Sequence, residues 1–342
     1  MATLLEKIEN EPRTHARLSE YIKIKHGFAF KGEYFSARPT KDVLVTPGNF
    51  AIGGGFKADK FKYYASAVPE DYILKAGDLV VTMTDLSVDA DTLGYSALIP
   101  NDSSVQFLHN QRVGLVQQIK EGIDLGFLYY LMRTREYQSY VVGGASGSTV
   151  KHTSPERIAS FEYDFPSVPT QRKIAEILSA YDEKIENNNK IIKNLEMTAQ
   201  ALFDEWFVEF QFPGHEKVRL LEIETGEMPE GWSIEGITEI ADRAAVPKMY
   251  QENELAEQGT VPVYDQSSKG LIGFHEGEPS FIASVTNPIL SFGDHTCRVR
   301  LICEPFSLGP NTLPLRKKGG YSLMFVFFLI KDVITQREYK KQ

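Results

Sequence analysis

Residues 174–206 read IAEILSAYDEKIENNNKIIKNLEMTAQALFDEW, and a single stripe runs through them. Ile174, Leu178, Tyr181, Ile185, Asn188, Ile192, Leu195, Ala199, Leu202 and Trp206 are spaced alternately by four and three residues. A strict alternation held over this distance is a coiled-coil seam, because an ordinary amphipathic helix drifts off a 3.5-residue period. The pattern predicts a helix over 169–211, roughly 60 Å long at ~1.5 Å per residue. Pro169 suits the first turn, where its missing N–H costs nothing, and Gln211-Phe212-Pro213-Gly214 stops the helix. A rod of that length reads as a spacer carrying two heads. Ile177, Ile191 and Phe203 widen the stripe, which predicts contact with more than one partner. Asn188 in the seam has two readings: a buried amide that fixes register and orientation, or a solvated residue where the seam splays. The competing reading of the whole stripe is a buried helix within one large domain.

Working outward, residues 1–17 are a polar N-terminal arm, frayed or helical, and residues 18–142 form a first head. The head alternates short apolar runs (Val43–Val45, Tyr72–Leu74, Asp78–Met83, Val113–Val116) with glycine and proline signals, the pattern of strands and turns. Leu125–Met132 reads as a helix closing it. Residues 143–168 open with Gly143-Gly144-Ala145-Ser146-Gly147-Ser148 and read as a flexible hinge. Residues 212–342 form a second head that echoes the first. Ile237-Thr238-Glu239-Ile240 echoes Leu18-Ser19-Glu20-Tyr21. Gly309–Leu313 falls where His109–Val113 lies, and Phe325–Lys331 where Phe127–Arg133 lies. The echo stops before any counterpart of the hinge and the long helix. The second head is therefore expected to be shortened at its C-terminal side, either naturally or because another chain supplies the matching helix. The fold class expected is α+β: two mixed α/β domains joined by a long coiled-coil helix.

The 342 residues give room for two ordinary domains and a connector. The net charge is −9, and neither head nor the helix is basic, which argues against a protein that grips DNA alone. It suits a chain that reads bases while others supply phosphate contacts, since the two tasks are separable. Met324–Ile330 is too short to span a bilayer. The start, Met1–Glu6, lacks the basic segment and apolar core of a secretory signal. Cys297 and Cys303 are too few for a disulfide framework or a four-cysteine zinc site, so they are expected as two core positions on a strand in a reducing cytoplasm. No histidine pair has metal-ligand spacing, and no metal site is expected. Gly53-Gly54-Gly55 lacks the Gly-Lys-Ser/Thr that follows in a phosphate loop. Thr286-Asn287-Pro288-Ile289 has one proline and no aromatic residue, unlike the Asn-Pro-Pro-aromatic motif of adenine methyltransferases, and reads as a turn. No Gly-x-Ser-x-Gly elbow occurs. Nothing in these residues builds an active site, and no catalytic residue or bound cofactor is expected.

The run Phe165-Pro166-Ser167-Val168-Pro169-Thr170-Gln171-Arg172-Lys173-Ile174-Ala175-Glu176-Ile177-Leu178, continued by Tyr181-Asp182-Glu183-Lys184-Ile185, resembles the signature of Type I restriction–modification specificity (S) subunits. Thr170 stands where that family usually has Glu. Gly147-Ser148-Thr149 with Ser154-Pro155-Glu156-Arg157-Ile158, Gly27-Phe28-Ala29-Phe30-Lys31 with Phe35, Lys75–Thr84, and Asn110-Gln111-Arg112 resemble further elements of its target recognition domains. The resemblance implies a non-catalytic subunit that recognises a bipartite double-stranded DNA target, one half per head, with the helix setting the spacing. It implies methylase (M) subunits docked along helix and heads, carrying S-adenosylmethionine, and an ATP-using restriction (R) subunit that joins through the complex.

DNA contacts are expected from loop residues able to read base edges. In the first head these are Lys57, Lys60, Lys62, Tyr63 and Tyr64, then Thr84, Ser87, Asn110, Gln111 and Arg112. In the second head they are Lys248, Tyr250, Gln266, Lys269, His295 and Arg298. Ser146, Ser148, Lys151 and His152 are expected on backbone or on the methylase. The seam residues Ile174, Leu178, Tyr181, Ile185, Asn188, Ile192, Leu195, Leu202 and Trp206 are expected at a subunit interface, including self-association of this chain. The alternative function is a coiled-coil assembly or scaffold protein that does not read DNA.

Overall fold

The computed structural model describes residues 11–87, 90–147, 150–224 and 226–339, with side chains described as far as Ile334. The chain forms two compact units, 1–188 and 189–342.

The first unit is built on a four-stranded antiparallel sheet in the order Ile22–His26, Val113–Gln118, Leu79–Thr82, Ser96–Leu98. Leu79–Thr82 is buried along its whole length, as an uninterrupted apolar run in a central strand should be. Its side chains alternate between two cores. Leu79 and Val81 join Ile22, Leu128 and Tyr137 under the helices Leu125–Leu131 and Arg135–Gly143. Val80 joins Val43, Val45 and Phe107 beneath a second sheet. That sheet runs Phe35–Ser36, Lys62–Tyr64, Asp42–Val45, Gln106–His109, and its last pair is parallel.

The second unit repeats this plan. Ala241–Arg243, Thr312–Lys317, Ile289–Gly293 and Val299–Ile302 form a four-stranded antiparallel sheet in the equivalent order. Leu271–His275, Val261–Tyr264 and Ser307–Leu308 form the companion sheet, again with a parallel last pair. Leu290 packs with Val326 of the helix Leu323–Tyr339, while Ile289 packs with Phe306 and Leu308 on the other side. The echo seen in three short segments is thus a duplication of strand order.

Three expectations change. Thr14–Arg17, assigned to a polar arm, is a strand paired antiparallel with Glu162–Phe165; the rest of that arm, residues 1–10, lies outside the described residues. The segment 143–168 is not a loose hinge. Lys151–His152 pairs with Thr84–Asp85, Pro155–Ala159 is helical, and Ile158, Phe161 and Phe165 are buried. Those three apolar side chains plug the first core. Ser148 and Thr149 lie outside the described residues. Cys297 and Cys303 are exposed rather than core, because Cys297 sits in a turn with φ 54° and Cys303 follows the strand Val299–Ile302.

The long helix spans Val168–Phe203, 36 residues, and continues as one π-helical turn, Asp204–Val208. It ends where Phe210 turns left-handed (φ 55°) and the Gln211 N–H donates to the Glu205 carbonyl at 2.7 Å. At its start, Glu11 accepts hydrogen bonds from the Ser167 N–H and the Thr170 hydroxyl, both at 2.6 Å. These bonds, that of Thr170 foremost, hold the Glu11 carboxyl below its ordinary range. The carboxylate at this helix N-terminus therefore comes from elsewhere in the chain, in place of a Glu at 170. Gln171 is fully buried: its Oε1 accepts from the Asp124 N–H (2.8 Å), and its Nε2 donates to the Pro166 (2.9 Å) and Gly122 (3.2 Å) carbonyls. From Glu183 to Thr198 every residue is exposed. Near the far end Phe203 is buried, its ring 5.8 Å from Phe325 and 5.9 Å from Phe328.

Gly27 sits where only glycine fits. A Cβ there would lie 2.1 Å from the Asn110 carbonyl oxygen and 2.6 Å from that of His109, both rigid backbone atoms. Gly27→Ala should destabilise the first unit by on the order of 3 kcal/mol, read as a lowered urea midpoint. Gly32→Ala, with open space around its Cβ, should change it by less than about 1 kcal/mol.

Candidate nucleic-acid interface

At one end of the first unit's main sheet three segments meet. The strand Gln106–His109 runs into Asn110-Gln111-Arg112, a turn shaped by the Asn110 Oδ1, which accepts from the Arg112 N–H at 3.1 Å. The opening motif is stitched to it by Phe28 N–H to His109 O (2.8 Å) and Gln111 N–H to Phe28 O (3.0 Å). The end of the central strand joins through Met83 N–H to Arg112 O (3.0 Å). Gln111, Arg112 and His152 are exposed here, and the Thr84 hydroxyl meets the His152 Nδ1 at 3.1 Å. Phe28 is 37% exposed beside Tyr72 (5.2 Å), over which Lys25 lies at 4.7 Å. Beneath this surface His109 is completely buried. Its Nε2 donates to the Val113 carbonyl at 2.8 Å, and burial pushes its pKa down to about 4, so the ring is neutral.

The basic run forms a second group on the loop between Asn49 and Lys62. Asn49 is buried and its Nδ2 donates to the carbonyls of Lys57 (3.2 Å) and Lys60 (3.0 Å). Lys57, Lys60 and Lys62 are exposed, Tyr63 is half-buried, and Lys57 pairs with Asp59 at 3.2 Å. Tyr64, expected at the DNA, is instead a core residue, its ring 5.0 Å from Phe30 and 6.1 Å from Tyr34. It closes the short strand Lys62–Tyr64 and packs in a cluster with Phe30, Leu44 and Leu108. Thr84 and Asn110 are likewise buried; their side chains serve His152 and the turn. Ser87 is half-buried and donates its backbone N–H to Asp85 at 2.7 Å. Of the segment read as a hinge, Ser146 is exposed and bridged to His152, and Lys151 is half-buried.

In the second unit the equivalent sheet end carries a different set. Asp294 N–H donates to Asn311 O at 3.0 Å, the counterpart of the Met83–Arg112 bond. His295 N–H donates to Gln266 Oε1 and the Thr296 hydroxyl to Gln266 O, both at 3.0 Å. The Arg300 guanidinium donates to the carbonyls of Asp265 (2.9 Å), Ser267 and Ser268, pinning the turn that carries Lys269. Lys269, His295 and Arg298 are exposed, so the loops around Gln266 gather four of the expected residues. Lys248 and Tyr250 belong to a separate stack: Lys248 lies 4.1 Å over the Tyr250 ring, which stacks on His275 at 4.2 Å and 12°. Lys248 also pairs with Glu254 at 3.1 Å. The His275 Nδ1 accepts the Gly277 N–H (3.0 Å), so its Nε2 carries the proton toward the Ser307 Oγ (2.9 Å). Burial and then Lys248 hold its pKa below the ordinary value. His275 was missed because nothing in its local sequence marks it. Phe28 was missed although its motif, Gly27–Lys31, was in view.

Along the helix Ile174 is half-buried against the first core, whereas Leu178, Tyr181, Ile185, Asn188, Ile192, Leu195, Leu202 and Trp206 are exposed. Among the described residues no three His, Cys, Asp or Glu side chains cluster as metal ligands, and no helix is long and apolar enough to cross a membrane.

Two units of one strand order, each with polar loops at the same sheet end, define a duplicated fold. The chain belongs to the family of the Type I restriction modification DNA specificity domain, whose profile matches residues 15–197. It is similar to the Type I restriction enzyme MjaIX specificity subunit of Methanocaldococcus jannaschii, with 34% identity over 144 residues, 42% of this chain and 33% of that protein. It is also similar to the HindI specificity subunit of Haemophilus influenzae, with 38% identity over 87 residues, 25% of this chain and 19% of that protein. These matches span a third or less of the relatives' own length. The fold is similar to that of the Type-I restriction-modification system S subunit from M. genitalium, with TM-score 0.56 and 17% identity over 96% of this chain and 80% of that one.

Neutral His109 makes the first unit acid-sensitive. Its folded pKa of about 4 lies below the unfolded value near 6.5, so the unfolded chain takes up the proton first as pH falls. The stability it contributes is complete above pH 6.5 and declines between 6.5 and 4, by roughly 3 kcal/mol at ~1.4 kcal/mol per pH unit. Urea midpoints at pH 7.5 and 4.5 should show this decline, and His109→Gln should remove it. An unchanged pH profile in the variant would show that His109 is not the group.

Proposed function

We propose that this chain is the sequence-reading subunit of a Type I restriction–modification complex. The match of residues 15–197 to the specificity-domain family carries the reading, and the repeated strand order supports a second head for a second half-target. In this reading the chain itself is not catalytic. Methylase subunits bring S-adenosylmethionine, a restriction subunit brings ATP-driven cleavage, and the complex works on cytoplasmic DNA. Gln111, Arg112, His152 and the Lys57–Lys62 loop face DNA in the first head; Gln266, Lys269, His295 and Arg298 face it in the second. The net charge of −9 favours shared binding, with phosphate contacts from the partners. The scaffold alternative is disfavoured by polar loops gathered at the same sheet end in both heads.

Strand pairing between 14–17 and 162–165 makes residues 11–165 the natural exchange segment of the first head. With the methylase subunits co-expressed, single-molecule methylation mapping should give a split motif. Replacing residues 11–165 by the matching segment of a relative should change one half of it and leave the other half intact. Both halves changing together would rule out independent heads.

The exposed seam supports a further part of the reading, in which a second copy of this chain covers it in antiparallel register. Each large apolar side chain left in water forgoes about 1.5–3 kcal/mol. Asn188 lies near the middle of the helix, so in that register the two amides meet and satisfy each other. Sedimentation of the 342-residue chain should show a dimer that Leu195→Asp weakens at least tenfold. A monomer indifferent to that substitution would exclude it.

A further inference from the structure

One arginine joins the long helix to the basic loop. Arg133 lies just past the helix Leu125–Leu131, with its side chain only 24% exposed. Its Nη1 donates to Asp182 Oδ2 on the long helix at 3.0 Å and to the Tyr129 hydroxyl at 2.8 Å. Its Nε donates to the Gly53 carbonyl at 3.0 Å. The guanidinium lies 4.8 Å from the Tyr129 ring centre, and the Tyr130 hydroxyl donates to the same Asp182 oxygen at 3.0 Å. The loop is moulded on this side chain. Gly54 has φ +85°, and a Cβ on it would fall 2.4 Å from the Arg133 Cγ.

From Gly53 the connection continues through backbone. Gly54 N–H bonds Ala51 O (2.9 Å), Gly55 N–H bonds Ser96 O (2.8 Å), and Lys57 N–H bonds Asn49 O (2.8 Å). Asn49 in turn holds the carbonyls of Lys57 and Lys60. Asp182 lies three turns beyond buried Gln171, so the helix is fixed to the first unit at two points along its axis, and two points define a direction.

We infer that Arg133 and Asp182 are positioning residues that make the Lys57–Lys60 loop and the first turns of the long helix a single body, so that the direction of the helix and the placement of the reading loop are set together. Neither residue needs to touch DNA. Loosening the clamp leaves the loop's own residues in place but frees it from the helix. On the specificity-subunit reading, which this inference extends, the consequence is a loss of spacing discipline: the half-targets are still recognised, but at more than one separation.

Amide hydrogen exchange on the full chain tests the coupling without any functional assay. Gly54, Gly55 and Lys57 are hydrogen-bonded reporters, and Asp182 touches none of them. Asp182→Ala and Arg133→Ala should each speed their exchange about tenfold, the double variant no more than Arg133→Ala alone, and Glu183→Ala not at all. Loop exchange that is unchanged in Asp182→Ala overturns the inference. The spacing consequence is read in the reconstituted methylase complex, on duplexes carrying the mapped motif with its natural spacer or one base pair more or less. Asp182→Ala should reduce the preference for the natural spacer at least tenfold with both half-motifs retained; an undiminished preference overturns the positioning role. Failure of the wild-type complex to methylate any split motif would instead refute the specificity-subunit reading, whatever the exchange shows.

Discussion

Between Glu183 and Thr198 the long helix has no side chain in the protein interior, so its ends must hold it. Most helical stability in a protein comes from tertiary packing, and here the two ends are secured by different chemistry. At the start, buried Gln171, the Glu11 cap and the Arg133–Asp182 pair are directional contacts that specify angle as well as position. At the far end the contact is a cluster of rings: Phe203 and Phe207 against Phe325, and Trp232 between Phe207, Phe210 and Phe212. Burial of rings against one another is strongly stabilising. The polar contacts orient the start of the helix on the first unit, and the ring cluster packs its end within the second.

The two units show how one scaffold carries two surfaces. In each, a central strand sends alternate side chains into two cores, Leu79 and Val81 against Val80 in the first, Leu290 against Ile289 in the second. Packing fixes those positions closely, because a change of one methylene is felt in a dense core. The loops at the sheet end escape that constraint. One presents Gln111 and Arg112 beside His152; the other presents Arg298 and His295, the latter tied to Gln266. Rigid strands with variable loops are the usual way to place different chemistry on a common frame.

The features legible in the sequence were periodic or repeated. The seam was readable because its spacing persists from Ile174 to Trp206, and the duplication because Phe325–Lys331 repeats Phe127–Arg133 in kind. What failed depended on partners distant in sequence. Thr14–Arg17 is four residues long, and only its pairing with Glu162–Phe165 makes it a strand. Tyr64 looked like part of a basic–aromatic run, but its inward face is decided by Phe30 and Tyr34. The Arg133–Asp182 contact joins residues 49 apart, with no local pattern to announce it. His275 likewise is held by Tyr250 and Ser307, both distant from it in sequence.

The pairing of Thr14–Arg17 with Glu162–Phe165 also bears on how the protein is made. Arg17 and Glu162 are 145 residues apart, so the first strand leaves the ribosome long before its partner exists. Closing so large a loop costs entropy before any contact rewards it. Until then Ala16 and Leu18, both buried in the finished core, have no place to go, and Gln171 has still to be translated before Asp124 finds its acceptor. The first unit is therefore completed only after synthesis has passed into the long helix, and a nascent chain stalled short of it would display an unpaired edge open to association with its neighbours.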